Sequence, residues 1–240
     1  MSSFPLISEE KWKTLTLLTQ ELFIWNTKVN LISRKDVQKI IPNHIIPSLS
    51  ISLVRQFERG ERVIDVGTGG GLPGLPLAVV FPQTHFTLLD SNGKKMKVVE
   101  DIAEKLELSN VRVVNRRAED FNETFDMILG RAVKELPVFL GFSSHFISGD
   151  NPLDETVVSR RGLLYLKGGD FSDEIANSKI SEHSLSPVSS LVPNLPSDKF
   201  VLHIPTKEIV DFRRRKVDFD NSQSQAIASH KKKNIKKGLT

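Results

Sequence analysis

The stretch Val63–Gly74, which reads VIDVGTGGGLPG, indicates the fold of this chain. A short apolar run, typical of a buried strand, passes directly into a cluster of glycines. Glycine adopts positive φ and has no Cβ atom, so a backbone made of it can approach a ligand closely. Pro73 then falls where we expect the first turn of a helix, a position at which its missing N–H is not needed. A strand, a glycine turn and a helix in this order predict the ligand-binding turn of an open α/β sheet.

The sequence around this turn alternates between short apolar runs and helical segments. The predicted strands are Arg62–Val66, His85–Leu89, Val111–Asn115, Phe125–Leu129, Gly162–Leu166 and a late edge strand at Phe200–Ile204. The predicted helices between them are Gly74–Phe81, Lys94–Leu106 and Glu135–Phe146. Near-continuous apolar strands separated by helices predict a parallel, doubly wound α/β sheet.

Two helical segments precede the first strand. Apolar side chains recur at steps of three or four over Ser8–Val29, which predicts an amphipathic helix with Ser8 as its N-cap. A second helical stretch surrounds His44–Phe57. We therefore divide the chain into an N-terminal helical region (1–58), a sheet domain (59–206) and a basic, flexible C-terminal tail (207–240).

Basic residues are concentrated at the end of the chain. The net charge is +4 overall, but Asp211–Thr240 carries +6 and the remainder −2. Such a tail is typical either of an arm that binds polyanions or of a solvated, disordered end, and both interpretations stay open. The chain has no cysteine, which excludes disulfides and cysteine nucleophiles. We expect no metal site, and no membrane association because apolar runs stay well short of the about 20 residues that span a bilayer.

The glycine turn is compatible with two cofactors. Gly69-x-Gly71-x-x-Gly74 matches the dinucleotide fingerprint, which keeps an NAD(P)-dependent oxidoreductase open. Asp65 lies two residues before Gly67 and favours S-adenosylmethionine, because a carboxylate there can orient the turn or meet a cationic amino group. The same carboxylate would be poorly placed beside an anionic pyrophosphate. Asp90, after the next predicted strand, can accept the ribose hydroxyls of either cofactor.

Five segments together resemble one known family, RsmG, also called GidB. They read DVGTGGGLPGLPLA, LLDSNGKK, RAEDF, GRA and LYLKGGD, and the resemblance runs from about Asn30 to Ile204. It implies a Rossmann-like class I methyltransferase fold and S-adenosylmethionine as the cofactor. It further implies methylation of guanine N7 in the 530 loop of small-subunit, 16S-type rRNA. The segments IIPNHIIPSLSI and GLLYLKGGDF are more similar to a branch of the family that includes organellar members.

The resemblance, with the reasoning above, assigns roles to individual residues. It implies that Gly67, Gly69, Gly71 and Leu72 surround the methionyl part, Asp90 and Ser91 the ribose, and Ala118 and Glu119 the adenine. The predicted cofactor-binding set adds Asp65, Thr68 and Arg131. Arg131 and Lys167 are the predicted catalytic residues. The predicted RNA-binding residues are Lys94, Arg131, Lys167 and the basic cluster Arg213, Arg214 and Arg215. Arg131 also has a structural alternative, an ion pair with Asp126 or Asp90.

The chain departs from the family pattern in its N-terminal region. Many bacterial members have R-H-x-x-D-S-L where this chain has Asn43–Leu49, so the roles of that arginine and aspartate do not transfer. A late Arg-His pair of some members becomes Lys199-Phe200. We interpret His44 as a packed, partly buried histidine rather than a catalyst.

The predicted reaction needs no general base. Guanine N7 carries an in-plane lone pair and no proton, so the protein has only to align the reacting atoms and exclude water. We expect small-subunit rRNA, a 30S-type subunit or an assembly intermediate as partner, and a monomer. An alternative is a ribosome-binding assembly factor with a vestigial cofactor site. The expected compartment is the cytoplasm, with chloroplast or mitochondrion as the alternative, although no transit peptide is visible.

Overall fold

The N-terminal region begins with the predicted amphipathic helix. The structure, a computed structural model, describes residues 4–5, 7–33, 35–148, 161–193, 195 and 197–217. Helix α1 spans Glu9–Asn26, and Oγ of Ser8 accepts the backbone N–H of Lys11 at 3.3 Å, as expected of its N-cap. The helix ends before the predicted Val29 because Oδ1 of Asn26 accepts the backbone N–H groups of Leu31 and Ile32, each at 2.8 Å.

The second helical stretch is less regular than predicted. It consists of a 3₁₀ turn at Val37–Lys39, a π-helical turn at Ile41–Ile45 and helix α2 at Ile46–Val54. Pro47 lacks the N–H that a regular α-helix would use there, which fits a widened turn before it. The π turn matters for the site because it carries His44.

A seven-stranded sheet forms the centre of the described chain. Its strands are β1 (Arg62–Val66), β2 (His85–Asp90), β3 (Val111–Asn115), β4 (Met127–Arg131), β5 (Gly162–Gly168), β6 (Ser184–Pro187) and β7 (Lys199–Pro205). The spatial order is β3-β2-β1-β4-β5-β7-β6, with β1 to β5 parallel and β7 antiparallel to both β5 and β6. The doubly wound α/β class is confirmed, but the sheet is mixed rather than wholly parallel.

Two details of the sheet differ from the sequence prediction. β7 lies between β5 and β6, so the prediction of an edge strand at Phe200–Ile204 is wrong. The edge is β6, which was missed because its sequence SLSP lacks an apolar alternation. β4 also reaches Arg131 and β5 reaches Gly168, so both Arg131 and Lys167 lie within strands.

Helices cover both faces of the sheet. α3 (Gly74–Val80) and α4 (Gly93–Lys105) share a hydrophobic core with Leu18 and Leu22 of α1. The helical region therefore packs directly on the sheet domain. α5 (Leu136–Ser143) covers the opposite face.

The end of the described chain corrects the predicted start of the tail. Residues 206–217 form a helix, although we expected a flexible tail from residue 207. Ile209 and Val210 are buried against the α5 face, and the Glu208 carboxylate accepts the hydroxyl of Ser181 at 2.7 Å. The sequence analysis did not recognise these apolar residues as part of a helix, because a run of charged residues follows them. The KKKNIKK cluster lies outside the described residues, and the division into domains stays a prediction. In the described parts of the chain, no helix is long and apolar enough to cross a membrane.

Candidate cofactor and target site

The glycine loop leaves the carboxyl end of β1, at the centre of the sheet. Gly67, Gly69 and Gly71 have φ of +71°, +57° and +82°, a region that favours glycine. A Cβ atom on Gly67 would lie 2.8 Å from Cγ1 of Val133, whereas one on Gly69 would meet nothing nearer than 3.9 Å. The loop is therefore tightly packed at Gly67 and open at Gly69.

The predicted loop residues fall into two groups. Gly67 and Gly69 are partly exposed, whereas Thr68, Gly71 and Leu72 are buried. Leu72 belongs to the core shared with the N-terminal helices. The structure therefore places Gly67 and Gly69 where a ligand can reach them, and the buried residues shape the loop from beneath.

Asp65 orients the loop. Its side chain is fully buried, and Oδ2 accepts the hydroxyl of Thr68 at 2.6 Å and the backbone N–H of Gly74 at 2.9 Å. Burial raises the pKa of Asp65 to about 6, against the opposing effect of these two hydrogen bonds. Of the two roles considered for this carboxylate, the hydrogen bonds show the first. Its other oxygen, Oδ1, is buried and has no hydrogen-bond partner among the described residues, and such an acceptor fits a cationic group.

Asp90 closes the loop from the neighbouring strand. Its Oδ2 accepts the backbone N–H of Gly69 and its Oδ1 that of Asn92, both at 2.9 Å. Because β1 and β2 are parallel neighbours, their carboxyl ends meet at this point. The acid at the end of β2 therefore lies beside the glycines of the loop.

A cleft of about 280 Å³ opens beside these strand ends. It is lined by Val66, Gly67, Leu89, Asp90, Ser91, Arg116, Arg117, Ala118, Glu119, Val133, Lys134 and Phe142. The cleft brings the predicted ribose residues and the predicted adenine residues together. Carboxylates beside apolar Leu89, Val133 and Phe142 suit a nucleoside, which has polar sugar hydroxyls and a flat apolar base. The residues present therefore fit S-adenosylmethionine.

Three cationic residues of this cleft were missed by the sequence analysis. Arg116, Arg117 and Lys134 line the cleft and are exposed. A signal was present, since Arg116 and Arg117 directly follow the predicted strand Val111–Asn115 and so lie at its carboxyl end.

Arg131 is tied to the N-terminal region. The guanidinium Nη2 donates to Nδ1 of His44, and the carboxylate of Asp36 lies 3.7 Å from Nε2 of the same ring. The two ion-pair partners predicted for Arg131 were Asp126 and Asp90, and neither forms an ion pair with it. Asp126 instead pairs with Arg161 at 2.6 Å. Burial lowers the pKa of Arg131 to about 10, so it stays charged at neutral pH.

His44 is buried, as the sequence analysis expected, but its ring also contacts a predicted catalytic residue. Burial, together with the nearby Arg131 charge, lowers the pKa of His44 to about 4. The imidazole is therefore neutral at neutral pH.

The other predicted basic residues lie away from the cleft lining. Lys167 is bound by both carboxylate oxygens of Glu174, at 2.7 and 2.6 Å, and is only 11% exposed. Lys94 lies exposed in the first turn of α4. Arg213 donates to the carbonyl oxygens of Ser144 and Ile147, at 3.3 and 3.0 Å.

The remaining members of the basic cluster differ from one another. Arg215 donates to the carbonyl oxygen of Lys179 at 3.1 Å, whereas Arg214 is 72% exposed beside Asp211. Arg213 and Arg215 therefore hold the C-terminal helix to the body of the protein. Arg214 and Arg215 are both exposed to solvent, whereas Arg213 is partly buried.

The fold and the site together define a class of protein. A Rossmann-like sheet, a glycine loop after its first strand and an acid at the end of its second are the marks of an S-adenosylmethionine-dependent methyltransferase. A solved S-adenosylmethionine-dependent methyltransferase from Aquifex aeolicus shares this fold, with a TM-score of 0.50 and 16% identity, covering 70% of this chain and 94% of that chain.

The family follows from sequence comparison. The family model GidB, described as rRNA small subunit methyltransferase G, matches residues 11–199. The ribosomal RNA small subunit methyltransferase G of Christiangramia forsetii is 41% identical over 172 residues, which are 72% of this chain and 80% of the relative. Its counterpart from Flavobacterium psychrophilum is 42% identical over 184 residues, 76% of this chain and 85% of the relative. The chain belongs to the rRNA small subunit methyltransferase G family. The predicted family and cofactor are confirmed, and the NAD(P)-dependent alternative is set aside.

Proposed function

We propose that this protein transfers the methyl group of S-adenosylmethionine to N7 of a guanine in small-subunit rRNA. The 530-loop guanine is the target that the family resemblance implies. The observation that carries the proposal is the cofactor cleft itself, whose rim holds the exposed cations Arg116, Arg117 and Lys134 beside the glycine loop. A nucleoside-binding cleft edged by positive charge suits a polyanionic methyl acceptor.

The residues around the cleft are suited to alignment rather than proton transfer. When bound, S-adenosylmethionine supplies an electrophilic methyl group on a sulfonium. The attacking lone pair of N7 is already free, so the chain needs no general base and can act by holding the two partners in line. Gly67, Gly69 and Asp90 would hold the cofactor, with Ser91, Ala118 and Glu119 around its nucleoside. In this proposal Asp65, Thr68, Gly71 and Leu72 act by shaping the loop.

The cationic rim provides contacts for the RNA backbone. Within the described residues, no carboxylate forms an ion pair with the side chain of Arg116, Arg117 or Lys134. Unpaired exposed cations are free to bind phosphates, which position an RNA without reading its sequence. Lys94 and Arg214 extend this surface in our proposal. Lys167, Arg213 and Arg215 act instead through the protein contacts described above.

The proposed substrate follows from the bacterial relatives of the chain. We assign the protein to bacterial-type small subunits, or to an assembly intermediate in which the target guanine is accessible. It would act as a monomer in whichever compartment holds such ribosomes, the cytoplasm or an organelle.

A methyl-transfer assay tests the proposal. Purified protein and labelled S-adenosylmethionine are incubated with small-subunit rRNA, and with subunits that lack the modification, and the methylated base is then mapped. We expect N7-methylguanine in the 530 loop. Cofactor binding without transfer to any of these substrates would favour the assembly-factor alternative, and methylation of another base would overturn the assigned target.

A further inference from the structure

Residues from three separate segments of the chain meet at the imidazole ring of His44. His44 lies in the π-helical turn Ile41–Ile45, Asp36 precedes the 3₁₀ turn, and Arg131 ends β4. Asn43 steadies the arrangement because its Nδ2 donates to Oδ1 of Asp36 at 2.8 Å. π turns inside helices occur frequently at functional sites. The N-terminal region thus reaches a strand end that borders the glycine loop.

The hydrogen bonds define the state of the His44 ring. A guanidinium can only donate, so Nδ1 of His44 must accept and therefore carries no proton. The neutral ring then bears its hydrogen on Nε2, the atom that faces the Asp36 carboxylate at 3.7 Å. Arg131 and Lys199 oppose protonation of the ring, and Asp36 favours it. The His44 ring therefore stays neutral with its hydrogen on Nε2, the form in which Nδ1 can accept a hydrogen bond from Arg131.

The guanidinium of Arg131 has a second terminal donor, Nη1. Its Nη1 is buried and has no hydrogen-bond partner among the described residues, and Oδ1 of Asp65 nearby in the fold is in the same condition. Buried polar atoms are nearly always paired in folded proteins, so an unpaired one calls for an explanation such as a missing ligand. Arg131 as a whole is only partly buried, although Nη1 itself is covered.

We propose that His44 is a positioning residue that holds Arg131 through Nη2, so that Nη1 donates to O6 of the target guanine. This inference rests on the proposed function. O6 is the appropriate acceptor, because N7 must keep its lone pair for the methyl group and O6 lies beside N7 on the same edge of the base. Asp36 acts on the ring and not on the RNA.

The kinetic experiment compares two substitutions of one residue. His44→Ala removes the acceptor, whereas His44→Asn places an amide oxygen close to the position of Nδ1. With labelled S-adenosylmethionine and small-subunit rRNA, His44→Ala should lower kcat by about tenfold to 100-fold, because a misplaced group close to the chemistry has effects of that size. Affinity for S-adenosylmethionine should stay unchanged, and His44→Asn should recover most of the rate. His85→Ala, at the far end of β2, is the matched control.

A double substitution shows whether His44 acts through Arg131. In an Arg131→Ala background, His44→Ala should have no further effect on kcat, since the group it positions is already missing. Additive losses, or a wild-type rate in His44→Ala, would overturn the proposal. Equal loss in His44→Ala and His44→Asn would also overturn it, because packing rather than the acceptor would then matter.

An imidazole titration followed by NMR separates this inference from the proposed function. It needs no methyl acceptor, so it reports on the contact even if the wild-type protein methylates nothing. The His44 ring should stay neutral down to about pH 4 in the wild type, and its pKa should rise in Arg131→Met. An unchanged His44 pKa in Arg131→Met would show that the two side chains do not interact in solution, and the inference would fail.

Discussion

The carboxylate of Asp65 accepts the backbone N–H of Gly74 at 2.9 Å, which ties the start of helix α3 to the strand that precedes the glycine loop. A Cβ atom on Gly74 would lie 2.9 Å from the same carboxylate oxygen, so the two residues leave no room for a side chain between them. The loop is thus clamped at both ends by one buried acid. The pKa of that acid makes the clamp sensitive to pH.

The Asp65 pKa predicts a pH-dependent difference in stability between the wild type and Asp65→Asn. Burial raises the pKa from 3.8 to about 6, so the folded state binds the proton more tightly than the unfolded chain does. The stabilising contribution of Asp65 is then fully present below pH 3.8 and is lost as the pH rises through about 6. That loss amounts to about 3 kcal/mol, which Asp65→Asn should not show. Urea unfolding at pH 4, 5, 6 and 7 measures it, and parallel stability curves for the two proteins would contradict the prediction.

Gly67→Ala should destabilise the protein more than Gly60→Ala does. Both glycines have positive φ, +71° and +76°, so both substitutions carry the same backbone strain of about 1 kcal/mol. Only at Gly67 would the new Cβ atom meet a neighbour, Val133 at 2.8 Å, while Gly60 has nothing within 4 Å. Thermal unfolding compares the two, and calorimetry should show loss of S-adenosylmethionine affinity in Gly67→Ala alone. Equal effects would mean that the Val133 contact is unimportant.

The ion pair between Lys167 and Glu174 should support stability rather than catalysis. Lys167→Met leaves a poorly solvated carboxylate and should lower the free energy of unfolding by about 1–3 kcal/mol. Glu174 also accepts the backbone N–H of Leu136 at 2.7 Å. The double variant Lys167→Met with Glu174→Gln removes the unpaired charge, keeps that acceptor and should regain part of the stability. We expect it to transfer methyl groups at the wild-type rate. A stable double variant without activity would instead support the catalytic role predicted from the sequence.

Arg116→Ala and Arg117→Ala should weaken binding to small-subunit rRNA in a salt-dependent manner. Each lost phosphate contact reduces the slope of log affinity against log salt concentration by about 0.7. Arg112→Ala is the matched control, because Arg112 lies near the amino end of β3, the strand that Arg116 and Arg117 follow, and pairs with Glu123 at 2.9 Å. Filter binding at several salt concentrations makes the measurement. An unchanged slope in the Arg116 and Arg117 variants would remove the cationic rim from the RNA interface.

Two truncations separate the roles within the C-terminal segment. Removing 218–240 deletes five lysines and should lower affinity for small subunits at low salt, with the difference vanishing at high salt. Removing 207–240 also deletes the buried Ile209 and Val210 and should lower the melting temperature. If the shorter truncation binds subunits as tightly as the full chain at every salt concentration, the lysine cluster is not an RNA arm.

Most of the architecture was predictable because its signals are local. The five parallel strands and the helices between them follow from apolar periodicity, and α1 from its spacing and from the Ser8 cap. β6 escaped because an edge strand with the sequence SLSP carries no such pattern. The helix at 206–217 was not predicted because its buried residues precede a run of charged residues.

The candidate site likewise has a part that the sequence predicts and a part that it does not. The glycine loop and Asp90 were predictable, since a loop after one strand and an acid after the next lie together in any sheet of this class. The roles of Lys167 and Arg213 were not, because a basic residue looks the same in sequence whether it meets RNA or a carboxylate and carbonyl groups of its own chain.

The sequence by itself determined the class of fold, the cofactor turn and the family, since those rest on periodicity and on motifs within single segments. The tertiary structure decided which distant side chains meet. His44 and Arg131 lie 87 residues apart along the chain and come into contact because the N-terminal helical region packs on the sheet domain. No local pattern encodes that contact, because it depends on how two elements stack against one core.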